Sequence, residues 1–201
     1  MFDDREDFCA SAFMDKIFVL GGFCYNRNND NFLTTSSCLE FISKNNNFKE
    51  ISEMNLARRW AACVVFQGNI VVSGGISNNY HVLSSVESYD VFADKWTSLP
   101  NTINHHRLHS LVTIKDKLFV IDHRVNCCEI FDIVCKKFVS FKHPLYITFN
   151  KCVQIGNRII AFQELTSTIL CYDYDKDEWS EELCEVTKDL ELFSCVKIPS
   201  Y

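Results

Sequence analysis

Four short apolar runs recur along the 201-residue chain at similar intervals, and this repetition limits the possible folds more than any other feature. The runs begin at Ile17, Ile70, Leu118 and Ile159, so the spacings between their first residues are 53, 48 and 41. A second apolar run precedes each of them, and a polar turn joins the two. The four turns are residues 14–16, 67–69, 115–117 and 156–158. Two β-rich runs around a three-residue polar turn predict a β-hairpin in every repeat.

A residue pair and a later aromatic follow each predicted hairpin at a strict spacing. The pair begins with Phe or Tyr, and six residues after its second member comes Phe or Trp. The four sets are Phe41-Ile42 with Phe48, Tyr89-Asp90 with Trp96, Phe131-Asp132 with Phe138, and Tyr172-Asp173 with Trp179. Mostly polar residues separate the pair from the aromatic, which predicts a third strand, a turn and a fourth strand.

Four strands in each stretch of ~47 residues, with no convincing amphipathic helix between them, are typical of a β-propeller blade. We therefore predict an all-β fold with about four four-stranded blades. The predicted blades cover approximately residues 5–55, 56–103, 104–145 and 146–186, and a terminal strand is predicted at 190–199.

The glycines and aromatics of these repeats resemble the kelch motif, and the second repeat is the fullest match. The residues that carry the resemblance are Gly21, Gly22, Gly74, Gly75, Tyr89, Asp90, Trp96, Tyr172, Asp173 and Trp179. A glycine pair directly after the second strand suits a chain that needs positive φ and a close approach of backbones. Repeats three and four depart from this pattern, with Asp122-His123 and Gln163-Glu164 near that position, so the motif does not predict the same bend in them.

The resemblance also bears on the number of blades. Kelch propellers most often have six, which takes about 280 residues, whereas this chain holds about four. We expect an incomplete six-bladed ring, and a closed four-bladed ring is the alternative.

Cysteine and histidine usage gives no sign of a metal or cofactor. The eleven cysteines include no Cys-x-x-Cys pair, and most lie among apolar neighbours, which predicts reduced, buried side chains. His105, His106 and His109 form the only histidine cluster, and adjacent side chains in an extended chain point in opposite directions. No hydrolase or phosphate-binding motif is present. We expect no cofactor and no enzymatic activity.

Charge and hydropathy narrow the classes of partner. The formal net charge of −6 lacks the clustered Lys and Arg that nucleic-acid binding needs. The apolar runs are far shorter than the ~20 residues that cross a bilayer. The acidic N-terminal residues do not resemble a signal peptide. We expect a cytoplasmic protein that binds neither nucleic acid nor membrane.

Binding residues are expected on the connections between second and third strands, because rigid strands present these loops to solvent. In the first repeat this loop is long and polar, residues 23–37; in the second, residues 76–84, Tyr80 and His81 lie near the middle. An exposed tyrosine is well suited to protein recognition.

Three arginines are further candidates. Arg5 and Arg58 both lie 12 residues before the second strand, and Arg107 lies 11 before it. The kelch resemblance implies that arginines at this position face the central pocket and can bind acidic peptide, for which a bidentate guanidinium is suited. Structural arginines bonded to nearby backbone are the alternative.

The resemblance extends to kelch-like proteins, whose propellers bind the targets of cullin-RING ubiquitin ligases. It implies a non-enzymatic protein-interaction module that recognises a ubiquitination substrate. The separate domains that bind the cullin are not visible in the sequence, so no direct cullin contact is expected. An actin-binding cytoskeletal kelch protein is the alternative function, and an enzyme on a kelch propeller ranks third.

Overall fold

The computed structural model describes residues 5–26, 31–122, 127–141, 149–163 and 168–183. These residues form nineteen β-strands. The strands are β1 (Arg5–Glu6), β2 (Cys9–Phe13), β3 (Lys16–Leu20), β4 (Phe23–Asn26), β5 (Asn31–Thr34), β6 (Cys38–Ile42), β7 (Asn47–Ile51), β8 (Ala62–Phe66), β9 (Asn69–Ser73), β10 (Val86–Asp90), β11 (Lys95–Leu99), β12 (Ser110–Ile114), β13 (Lys117–Asp122), β14 (Cys127–Asp132), β15 (Lys137–Phe141), β16 (Phe149–Ile155), β17 (Arg158–Gln163), β18 (Thr168–Asp173) and β19 (Glu178–Leu183). The terminal strand predicted at 190–199 lies outside the described residues.

Sixteen of these strands form four antiparallel sheets of four strands each, in the orders β2-β3-β6-β7, β8-β9-β10-β11, β12-β13-β14-β15 and β16-β17-β18-β19. The remaining strands form a three-stranded sheet in the order β1-β4-β5. The all-β fold with four four-stranded units is therefore confirmed. The small sheet was not predicted from the sequence.

The turns between the first and second strands contain two residues, one fewer than predicted. Lys16 and Asn69, assigned to turns from the sequence, instead pair with Phe13 and Phe66 in the sheets. Positive φ values explain the tighter geometry: they are 52° and 60° at residues 14 and 15, and 50° and 76° at residues 67 and 68. A two-residue turn with positive φ at both positions matches the right-handed twist of the two strands that it joins.

The glycine pairs lie where two backbones approach closely. Gly22 has φ of 108° and Gly75 has φ of 96°. A Cβ on Gly75 would lie 2.7 Å from the carbonyl oxygen of Arg59, and one on Gly22 would lie 2.6 Å from that of Glu6. Both positions thus meet the two requirements that the sequence reasoning assigned to them.

The third and fourth sheets replace the glycine bend with one more strand residue. β13 continues to Asp122, which pairs with Cys127, and β17 continues to Gln163, which pairs with Phe149. These second strands have six residues, where β3 and β9 have five. The absence of glycine at these positions therefore accompanies a longer second strand.

The strict aromatic spacing produces the same cross-strand pair in every sheet. Each third-strand aromatic faces its fourth-strand partner in register. The ring centroids are 5.2 Å apart for Phe41–Phe48, 5.0 Å for Tyr89–Trp96, 5.1 Å for Phe131–Phe138 and 5.3 Å for Tyr172–Trp179. Such pairs contribute about 0.5–1.5 kcal/mol each beyond the burial of their surface.

The aspartates of the Tyr-Asp pairs begin the turns between third and fourth strands. One carboxylate oxygen of Asp90 accepts hydrogen bonds from the backbone N–H groups of Phe92 and Ala93, at 2.9 and 3.0 Å. Asp173 accepts equivalent bonds from Asp175 and Lys176, at 3.1 and 3.3 Å. Both aspartates thus satisfy backbone donors inside a tight turn.

The chain divides into two compact units, Met1–Leu108 and His109–Tyr201. In the first unit, side chains of the first two four-stranded sheets pack into one apolar core that includes Cys9 and Cys38. In the second unit, the other two sheets form a core that includes Cys128 and Cys152. Burial raises the pKa of the Cys38 thiol to about 12. Of the eight described cysteine side chains, all free thiols, five are buried, in agreement with the predicted core role.

Candidate partner-binding face

The predicted polar loop of the first repeat contains a β-hairpin. Strands β4 and β5 pair in antiparallel fashion, and β1 pairs with the other edge of β4. Period-two placement of Phe23 and Tyr25, and the apolar residues around Phe32, are the sequence signals that could have identified it.

Three aromatic rings of this hairpin form a continuous row. Phe23 stacks on Phe32 with ring centroids 5.3 Å apart, and the Tyr25 centroid lies 5.1 Å from that of Phe32. The Phe32 residue is 53% exposed. An exposed ring in contact with two others presents apolar contact area that requires little further ordering.

Arg59 extends this row toward the second repeat. Its guanidinium carbon lies 4.4 Å from the centroid of the Phe23 ring, 4.7 Å from that of Trp60 and 5.7 Å from that of Tyr80. Its Nη1 also lies 3.9 Å from a carboxylate oxygen of Asp7, a long ion pair beside three ring contacts that attract the guanidinium. Sequence reasoning missed Arg59, although in an extended chain it must point away from Arg58, toward the opposite side.

Tyr80 and His81, predicted as binding residues, lie in a compact exposed loop. The N–H of Ser77 donates to the carbonyl of His81 at 3.0 Å, and the N–H of Tyr80 donates to the carbonyl of Ser77 at 3.0 Å. Tyr80 adopts φ of 59° at the tip of this loop and is 76% exposed, and His81 is exposed as well.

These side chains define one surface, which we name the aromatic face. It comprises Phe23, Tyr25, Phe32, Arg59, Trp60 and Tyr80. It combines exposed rings with a partly buried cation, and it rests on strands and on hydrogen-bonded loops. Such a surface can bind apolar and aromatic groups of another molecule.

Arg58 and Arg5 make hydrogen bonds inside the first unit, which favours the structural alternative for both. Arg58 is 0% exposed; its Nη1 donates to the Gly74 carbonyl at 2.7 Å, and its Nη2 lies 2.6 Å from a Glu87 carboxylate oxygen. Arg5 is partly exposed and donates from Nη1 to the carbonyls of Gly21 and Ser37, at 3.0 and 2.9 Å. Each arginine thus binds the carbonyl of the first glycine in a glycine pair and stabilises the bend there.

Arg107 does not occupy the place of these two arginines. The carbonyl of Arg58 accepts the N–H of Gly22, and the carbonyl of His106 accepts the N–H of Gly75 in the same way. His106 is therefore the structural counterpart of Arg58, and it lies 12 residues before Leu118, the spacing shared by Arg5 and Arg58. His106 is 0% exposed, whereas Arg107 is exposed. The 11-residue spacing of Arg107 was the signal that it lies outside the series.

The other two histidines of the cluster differ in burial: His105 is exposed, whereas His109 is only 2% exposed. Within the described parts of the chain, no group of three or more His, Cys, Asp or Glu side chains is arranged to hold a metal ion. The same residues contain no helix with the length and apolarity needed to span a membrane.

Comparison with known proteins identifies a Kelch motif at residues 57–102, which is the second repeat. The F-box/kelch-repeat protein SKIP30 of Arabidopsis thaliana is 31% identical over 84 residues, which cover 41% of this chain and 24% of that protein. Kelch-like protein 38 of Rattus norvegicus is 27% identical over 184 residues, which cover 86% of this chain and 30% of that protein. The matched region thus spans under a third of the length of either relative.

Among solved structures, that of YjhT is similar, with a TM-score of 0.70. The match covers 90% of this chain and 66% of that one, at 13% sequence identity, so it bears on the fold alone. The fold is therefore kelch propeller-like, as the sequence predicted.

The motif match, the four repeated sheets and the fold together define a kelch-motif repeat protein. Its similarity to Kelch-like protein 38 and to the F-box/kelch protein is distant. Kelch-repeat domains are protein-interaction modules.

Proposed function

We propose that this chain is the target-binding domain of a kelch-like substrate adapter for a cullin-RING ubiquitin ligase, that it acts in the cytoplasm, and that it has no enzymatic activity of its own. The target binds at the aromatic face. The observation that carries this proposal is the exposure of Phe32 and Tyr80, at 53% and 76%. Arg59 lies over the Tyr80 ring and over the Phe23 ring, on which Phe32 stacks.

Exposed rings on a rigid support have the properties of interface anchors. Aromatic side chains lose little conformational entropy on binding and bury a large area, so they are enriched among the residues that dominate binding energy. The planar Arg59 side chain is already ordered by the rings around it, which reduces the cost of a contact further.

The adapter role is supported by similarity to Kelch-like protein 38 across 86% of this chain. In such an adapter the propeller contacts the target, and other domains contact the cullin. We therefore expect the 201 residues to bind a target without binding a cullin.

The test is affinity purification from cell extract with the wild-type chain, Tyr80→Ala and Phe92→Ala. Phe92 is the matched control: it is 80% exposed, but it lies in the turn after β10, whereas Tyr80 lies in the loop before β10. We expect at least one protein to be retained by the wild type and by Phe92→Ala and to be lost with Tyr80→Ala.

The cellular half-life of that protein then tests the adapter role. Expression of these 201 residues should lengthen it, because an occupied target is shielded from the ligase. Retention of every captured protein by Tyr80→Ala would contradict binding at the aromatic face, and an unchanged half-life or a directly bound cullin would contradict the adapter role. Co-sedimentation of the purified chain with filamentous actin would favour the cytoskeletal function instead.

A further inference from the structure

The most exposed rings of the aromatic face lie on two separate segments of the chain, and one side chain of the second segment binds the backbone of the first. Phe23 and Phe32 belong to the β4–β5 hairpin, and Tyr80 belongs to the loop at residues 76–81. The carbonyl oxygen of the Asn78 carboxamide accepts the backbone N–H of Thr34 at 2.7 Å, and its Nδ2 donates to the Thr34 carbonyl at 2.9 Å.

Asn78 binds Thr34 as a neighbouring strand would. A carboxamide offers the donor and acceptor of a peptide group, so a single side chain satisfies both backbone groups at the end of β5. With Asn78 in place, Thr34 is only 3% exposed. Loss of the carboxamide would remove the protein partner of both the N–H and the carbonyl of Thr34.

The loop that carries Asn78 is held independently of this contact. The backbones of Arg59 and Ile76 exchange two hydrogen bonds, at 3.1 and 2.8 Å, and Ser77 bonds to His81 within the loop. A change at residue 78 should therefore leave the loop in place and release the hairpin from it.

We propose that Asn78 is a positioning residue of the binding face, which holds Phe32 and Tyr80 at a fixed separation so that one apolar segment of the target contacts both. The target's footprint then spans two repeats. This inference rests on the proposed function, since it assigns the arrangement of that same face. Fixing two anchors before binding lowers the entropy that the complex must lose.

The first experiment needs no partner. Backbone amide hydrogen exchange is measured for the wild type, Asn78→Ala, Asn78→Asp and the control Asn79→Ala, which changes the exposed neighbour in the same loop. We expect the Thr34 amide to exchange about tenfold faster in Asn78→Ala, because it loses its acceptor, and the thermal midpoint to fall by about 2–4 °C. Asn78→Asp keeps that acceptor and should retain part of the protection. Wild-type exchange at Thr34 in Asn78→Ala would overturn the proposal.

The second experiment measures the affinity of the purified protein that the wild type captures and Tyr80→Ala loses. We expect Phe32→Ala to weaken binding as Tyr80→Ala does, Asn78→Ala to weaken it about tenfold, and Asn79→Ala to leave it unchanged. Unchanged binding by Phe32→Ala or by Asn78→Ala overturns the positioning role while the proposed function stands. If no captured protein depends on Tyr80, the proposed function and this inference both fail, and the exchange data still report whether Asn78 joins the two segments.

Discussion

The first and second repeats share one scaffold, yet the second makes far more polar contacts to the segment that joins them, residues 52–58. The Glu87 carboxylate accepts the backbone N–H groups of Asn55 and Leu56, at 2.7 and 3.2 Å. The same carboxylate binds the guanidinium of Arg58 at the end of this segment.

Two further side chains of the second repeat bind the start of the same segment. A carboxylate oxygen of Asp94 accepts the backbone N–H of Ser52 at 2.8 Å, and Nε1 of Trp96 donates to the Ser52 carbonyl at 2.8 Å. The hydroxyl of Tyr89 donates to that same oxygen of Asp94 at 2.7 Å. Burial, with the carboxylate beside it, raises the pKa of Tyr89.

The first repeat has apolar or uncharged residues at the counterpart positions, Leu39, Phe41, Asn46 and Phe48. It nevertheless forms four strands and the same facing aromatic pair. The comparison teaches that the polar motif residues of the second repeat are not needed to build a blade. They attach the blade to the segment that enters it, and this segment carries the motif arginine.

The largest expected effect comes from making the second repeat resemble the first at its buried ion pair. Glu87→Leu copies Leu39 and leaves the Arg58 guanidinium, 0% exposed, without its carboxylate. We expect the free energy of unfolding to fall by about 3–5 kcal/mol, measured by urea denaturation.

Two companion variants sharpen this result. Glu50→Leu removes an exposed glutamate on β7 and should change stability by less than about 0.5 kcal/mol. Adding Arg58→Met to Glu87→Leu should restore much of the loss, because an apolar pair replaces the stranded charge. A loss below about 1 kcal/mol for Glu87→Leu alone would show that the carboxylate is dispensable.

The fold was predictable because its signals are local and repeated. The spacing of Tyr89 to Trp96 recurs in all four repeats and sets the register of a facing pair, so one pattern specified the third and fourth strands throughout. Among the described residues, the hairpin β4–β5 occurs in one repeat alone. Because no repetition marks it, the sequence predicts a loop there.

The binding face was less predictable, because it depends on contacts between distant segments. Tyr80 was found from its place in a loop, but Arg59 and Asn78 act through residues that lie far from them in sequence, such as Phe23 and Thr34. Spacing locates the arginines along the chain, but it does not show which residues surround them in the fold. Whether Arg58 faces solvent or Glu87 depends on how the segment folds back on the sheet.

A smaller effect is expected at the fourth-strand aromatic, which is tryptophan in the second repeat and phenylalanine in the first. Trp96→Phe copies Phe48 and removes the hydrogen bond to Ser52. It also replaces the indole of a residue that is 6% exposed with a smaller phenyl ring. We expect a loss of about 1–2 kcal/mol in urea denaturation, with the β-sheet circular dichroism retained. Ser98→Ala, at an exposed site on the same strand, is the control. Wild-type stability of Trp96→Phe would mean that the ring alone, without its N–H, holds the segment.

The smallest effect is a pH dependence that the second repeat has at this position and the first repeat lacks. The bonds from Ser52 and Tyr89 hold the pKa of Asp94 below its ordinary value of 3.8. A lowered pKa in the folded state stabilises the protein above the ordinary value, and this contribution is lost as the pH falls through the folded pKa. Asp94→Asn, which copies Asn46 and keeps an oxygen acceptor, should therefore be less stable than the wild type at pH 6 by under about 1 kcal/mol, since solvent screens this site. The difference should shrink as the pH is lowered from 5 to 3. A difference that is constant across this range would contradict a contribution from the ionised carboxylate of Asp94 to the contrast between the two repeats.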